Sequence, residues 1–129
     1  MGLFATDSLV AVVAIFFAGM GAYALAWPAR VLALFGTTGL TPEGRNEVRA
    51  VYGGFGLAVA GLLCAALRGA NWAPGAFLAL AVALFGMAAG RLVSLAVDRS
   101  IGRFPLLLIF VEISLGGMLL LAFIESTGH

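Results

Sequence analysis

Lysine is absent from this 129-residue sequence, and charge of either sign is scarce: seven arginines and six acids make up 10% of the chain. A soluble domain of this length carries about a quarter charged residues, because its surface faces water. The scarcity therefore excludes an ordinary soluble globule. The net charge of +1 leaves no basic stripe for a nucleic acid. Cys64 is the single cysteine and lies inside an apolar run, which excludes a disulfide framework or a cysteine metal site within one chain. It reads as a small hydrophobe. The one histidine is the terminal His129. Ser-His-Asp, Cys-His and HExxH-type arrangements are thereby excluded. His129 is expected to be inert, and nothing calls for a metal or a cofactor.

What is present is apolar. Hydrophobic residues make up 63% of the chain and the mean hydropathy is +1.13. A bilayer core needs roughly 20 apolar residues per helix, so one domain spanning residues 1–129 has room for four spans with short connections. The N-terminus lacks a basic region and a small-residue cleavage site, so the first apolar run is expected to be a retained span. Met1-Gly2-Leu3-Phe4-Ala5-Thr6 fits an acylation pattern, although a chain with several spans needs no lipid anchor.

The first span is expected over 8–27, capped by Thr6 or Asp7, with an extension beyond Pro28 to residue 35. Thr41-Pro42-Glu43 combines a capping hydroxyl, Pro at the first helical position and an acid facing the helix dipole, so the second span covers 42–67. The third covers 75–97 after Pro74, and the fourth covers 105–124 from Pro105. All four prolines fall at or near helix starts, where a missing N–H costs little. Trp27 and Trp72 mark opposite interfaces.

Arg30, Arg45, Arg99 and Arg103 border the first and third connections, against Arg68 on the other side. The positive-inside rule makes the arginine-rich side cytoplasmic and puts both termini outside. Gly19-Met20-Gly21-Ala22 matches Gly86-Met87-Ala88-Ala89, and Glu47 precedes Gly53-Gly54 much as Glu112 precedes Gly116-Gly117. The fold class expected is an all-α four-helix transmembrane bundle, with two tandem hairpins as one arrangement of it.

Glu47, Arg49, Arg91 and Glu112 lie inside these spans. At about 1.5 Å per residue, each falls roughly 7–11 Å from the arginine-rich side. Charges in membrane segments are costly and usually face a bundle interior or a cavity, so the four are expected to form one buried, charge-balanced cluster. Asn46 and Tyr52 stand beside it, and Ser94 and Asp98 share a helix face with Arg91 at its rim. Gly53 and Gly56 continue a stripe from Asn46 and Arg49. Gly86 and Gly90 form a small-xxx-small pair, and Gly116 follows Glu112 by one turn; all five glycines are expected to let helices pack closely.

Two readings of the cluster stand side by side. It is a set of ion pairs that fixes packing, for which the planar arginine fork is suited, or it is a site. As a site it belongs to a small transporter, a ligand- or lipid-binding protein, or an accessory to a lipid- or quinone-handling enzyme. As packing it belongs to a structural subunit of a larger complex. The bilayer, a second copy of the chain and a larger membrane complex are the expected partners, with no nucleic acid.

Asn46-Glu47-Val48-Arg49-Ala50-Val51-Tyr52-Gly53-Gly54, after Pro28 and Phe35-Gly36 and before Gly90-Arg91, resembles a bacterial family defined only as a domain of unknown function. The resemblance covers nearly the whole chain. It implies the four-span fold and marks Asn46, Glu47, Arg49, Tyr52 and Arg91, but it implies no activity; the location expected for the chain is the bacterial inner membrane. Small multidrug transporters centre on a carboxylate in the first span, which is missing here. Membrane glutathione-transferase-like enzymes space their Arg, Asn and Glu differently from Arg45-Asn46-Glu47. The DoxX-like group is similar only in size and span count.

Overall fold

The computed structural model describes residues 2–128 apart from the side chain of Leu3, and every regular element among them is helical. Met1 of the acylation pattern and the terminal His129 lie outside the described residues. Helix α1 (Leu3–Ala26) is followed by a separate short helix, α2 (Pro28–Ala33). The break has a local cause: Pro28 has no N–H and disfavours helical backbone in the residue before it. Trp27 accordingly leaves the helical region, at φ −133° and ψ 64°. The second span begins as α3 (Pro42–Val48), passes through a π-helical turn (Arg49–Gly54) and continues as α4 (Phe55–Ala66). Helices α5 (Ala73–Asp98) and α6 (Arg103–Thr127) complete the chain.

Residues 4–26, 42–66, 73–98 and 103–127 form four helices long and apolar enough to cross a membrane. The protein is thus an all-α bundle with the make-up of a multi-pass membrane protein. Several boundaries move by one to five residues from their expected places, with α1, α5 and α6 all starting earlier. Thr6 and Asp7 lie within α1 instead of capping it, and α6 starts two residues before Pro105, since the first turn of a helix tolerates Pro. At α3 the Thr41 hydroxyl accepts the N–H of Gly44 at 3.1 Å, closing the helix start.

Packing divides the bundle into two antiparallel hairpins. Helix α1 lies against the second span, α5 lies along α6, and the hairpins are joined mainly through α1 and α6. Contacts between α4 and α5 are sparse. Val13, Leu63, Leu84 and Leu119, one from each span, meet in the core and are almost fully buried. In the first hairpin the backbones touch. A Cβ built on Gly21 would stand 2.8 Å from both the Gly53 carbonyl oxygen and the Leu57 nitrogen, and one on Gly56 would stand 3.0 Å from the Phe17 oxygen. Gly53 has room only for the Leu25 side chain, and Gly116 has the Phe85 ring where its Cβ would be, at 2.8 Å. Gly86 and Gly90 do not serve close packing: both are exposed, and nothing lies within 4 Å of a Cβ at either.

Thr6, Asp7, Asn71, Glu125 and Ser126 line one recess, so both described ends of the chain share a side with the second connection. Trp27 and Trp72, each half-exposed, stand at opposite ends. With 26 and 25 residues, α5 and α6 are about 39 and 38 Å long. That exceeds a hydrocarbon core of about 30 Å, so their ends reach the headgroup layer.

Candidate functional site: a buried ion pair behind an open recess

Glu112 is the buried charged residue of the described chain, with its side chain 5% exposed. It projects from α6 toward α5, where Arg91 meets it. The Arg91 Nε–H donates to both carboxylate oxygens at 2.9 and 3.0 Å, and Nη2 lies 2.8 Å from Oε1. Both carboxylate oxygens are therefore engaged by one guanidinium. A buried carboxylate without such a partner would cost several kcal/mol, roughly 3–5 when a partner is deleted. No buried side-chain polar atom among the described residues lacks a hydrogen bond. The pair is asymmetric. Arg91 is 20% exposed, and its Nη1 edge has no protein acceptor among the described residues.

Phe35 covers the pair from the side of the first connection. The Arg91 guanidinium carbon lies 5.9 Å from the Phe35 ring centroid, a cation–π distance. The same ring lies 6.4 Å from Tyr52 and 5.0 Å from Phe104. One loop aromatic thus touches the second span, α5 and α6. Gly36 at φ +80° lets the chain turn away directly after it. Sequence reasoning gave Phe35 no site role. Its only signal is a large apolar residue in a loop level with the arginines.

Arg91 also lines a recess of about 460 Å³, with Met87, Gly90, Ser94 and Asp98 of α5 and with Ser100, Ile101 and Pro105 beyond them. The α5 residues recur every three or four positions, so they form one helix face. Ser94 donates its hydroxyl proton to Asp98 Oδ2 at 3.2 Å. The second span contributes no residue to this lining.

The four intramembrane charges do not form one cluster. Glu47 and Asn46 are exposed, and Glu47 makes no ion pair among the described residues. Arg49 is also exposed, and its Nε–H donates to the Leu25 carbonyl at 3.1 Å. That carbonyl lies at the end of α1, where the break at Pro28 interrupts the backbone ladder. Tyr52 stacks with Phe35 and does not reach the charges directly. The π-helical turn is the physical reason. Val48 and Gly53, five residues apart, both face inward. A wide turn of that kind rotates the helix before it relative to the helix after it. Gly53, Gly56 and Ala60 keep the inner face, while Asn46 and Arg49 swing off it.

A family model described as a domain of unknown function (DUF4345) matches residues 5–123. The chain belongs to the DUF4345 family. The match takes in α1 through most of α6, with the ion pair, Phe35 and the whole recess inside it. No curated protein and no solved structure matches the chain.

Proposed function

We propose that this protein is a membrane-embedded binding protein, with transport of the bound molecule as its extended form, that takes the polar head of an amphiphile in the recess beside Arg91. The observation that carries this reading is the asymmetry of the ion pair. Glu112 holds the guanidinium through Nε and Nη2, and Arg91, partly exposed and with no protein acceptor at Nη1 among the described residues, also lines a recess of about 460 Å³. A fixed arginine edge is suited to a phosphate, carboxylate or carbonyl oxygen, because its donors lie in one plane. Met87, Ile101 and Pro105 supply apolar walls. The arginine bias of the first and third connections supports a cytoplasmic position for this end and termini outside, and the reading takes the membrane to be a bacterial inner membrane.

A second reading, that of a structural or accessory subunit, is favoured by the complete pairing of Glu112. A pair so satisfied can serve packing alone, and a buried ion pair is often matched in stability by apolar residues of the same volume. Native mass spectrometry of the protein released from its own membrane separates the two. The comparison is the Arg91→Met/Glu112→Leu double variant, which leaves no unpaired carboxylate. A bound amphiphile lost in the variant supports the binding protein. An unchanged bare chain, or a larger complex retained equally by both, overturns that reading in favour of the subunit.

A further inference from the structure

Along the open face of α5 the chemistry changes in a fixed order, and the order bears on which head the recess accepts. We infer that the recess takes a membrane lipid whose headgroup carries a phosphate followed by a primary ammonium. This rests on the reading of the recess as an amphiphile site. From the bilayer interior outward, the face presents Met87, then Gly90 and Arg91, then Ser94, then Asp98 as the last residue of α5. Apolar, cationic, hydroxyl and anionic groups thus follow one another. The Arg91 backbone lies about 10 Å deeper than that of Asp98, and the Ser94–Asp98 hydrogen bond of 3.2 Å ties the carboxylate back toward Arg91. A lipid with its chains toward the bilayer centre presents apolar chains, phosphate and terminal amine in that same order of depth.

Charge selects among headgroups. Of the lining residues, Arg91 is matched by Glu112, and Asp98 makes no ion pair among the described residues, with Arg99 and Arg103 nearby in the chain but outside the lining. The Asp98 carboxylate is thus the unpaired charge of the recess wall. A head that is only anionic would gain at Arg91 and be repelled at Asp98. A phosphate–ammonium head satisfies both ends. A quaternary ammonium has no N–H to donate to the Asp98 carboxylate, so a primary amine is preferred to it. Gly90 keeps the wall beside Arg91 open, since nothing stands within 4 Å of a Cβ there.

The test is native mass spectrometry of the full chain in detergent with equal amounts of phosphatidylethanolamine, phosphatidylcholine and phosphatidylglycerol of identical acyl chains. The expected result is retention of phosphatidylethanolamine over the other two by up to about 5-fold, the range of one solvent-accessible charge interaction. Asp98→Asn, at an exposed position, should bring phosphatidylethanolamine and phosphatidylglycerol to parity. Phosphatidylglycerol preferred by the native chain, or a preference unchanged in Asp98→Asn, overturns the inference and leaves the amphiphile site standing. Equal retention of all three lipids by the native chain and by Arg91→Met/Glu112→Leu removes the site itself. Displacement of lipid by free phosphoethanolamine at matched concentration would make the ligand a soluble headgroup and overturn the lipid assignment.

Discussion

Helix α1 and the second span meet backbone to backbone, through Gly21, Gly53 and Gly56, whereas α5 and α6 meet through side chains, with an Arg91–Glu112 ion pair between them. The sequence carries the same two ingredients in both halves, glycines and charges within apolar helices. Geometry assigns them opposite tasks. In the first hairpin the glycines face the partner helix and the charges lie outside the contact. In the second, Gly86 and Gly90 are open and the charges lie within it. Close backbone approach leaves no space for a guanidinium between helices; a wider, side-chain-mediated seam provides it. The two hairpins should therefore fail under different substitutions.

The largest effect is expected at the ion pair. Arg91→Ala leaves Glu112 buried and unpaired, and should cost about 3–5 kcal/mol in equilibrium unfolding in mixed micelles. Arg91→Met/Glu112→Leu removes both charges at similar volume and should return most of that loss. A double variant as unstable as Arg91→Ala would show that the seam needs the charges themselves.

Next in size is the glycine contact. Gly21→Ala places a methyl 2.8 Å from two backbone atoms of the second span, which only helix separation relieves, and overpacking of this kind costs about 1–3 kcal/mol. Gly86→Ala meets nothing and should instead stabilise α5 by about 0.5–1 kcal/mol, as Ala does over Gly in a helix interior. The opposite signs of one chemical change would distinguish the two hairpins. Equal effects would mean that the face of Gly86 is covered in the membrane by something other than this chain.

Much of this was legible before the structure. Pro28, Pro42, Pro74 and Pro105 mark helix starts because ring geometry acts locally, and Thr41 closes α3 by a contact three residues away. Arg91 and Glu112 were placed at one depth by counting rise per residue, which needs only straight helices. The same counting put Glu47 and Arg49 at that depth too, but depth does not fix azimuth. The π-helical turn at Arg49–Gly54 changes azimuth, and no local pattern announces it beyond the Gly53-Gly54 pair, whose low helix propensity permits it. Gly21 and Phe35 were not read as contacts because each depends on which helix stands opposite. Periodicity along one helix says nothing of that.

A smaller effect is expected at Arg49, which serves the first hairpin from outside. Its single hydrogen bond, to the Leu25 carbonyl at 3.1 Å, is charge-assisted but exposed, so Arg49→Met should cost about 1 kcal/mol in the same unfolding measurement. Lipid retention should not change. A loss of bound lipid in Arg49→Met would tie the end of α1 to the recess and undo the separation of the hairpins.

The smallest effect is expected at Glu47, and it sharpens the comparison most. Glu47 has the same side chain as Glu112 and also precedes a glycine pair, yet it is exposed and makes no ion pair among the described residues. As the sixth residue of the seven-residue α3 it lies beyond the first turn, which Glu43 occupies, so the helix dipole adds little to it. Glu47→Gln should thus change stability by less than about 0.5 kcal/mol, as surface substitutions do, whereas Glu112→Gln removes the charge that Arg91 requires. A cost for Glu47→Gln approaching that of Glu112→Gln would mean that the second span turns Glu47 inward in the bilayer. The two hairpins would then share one charged cluster after all.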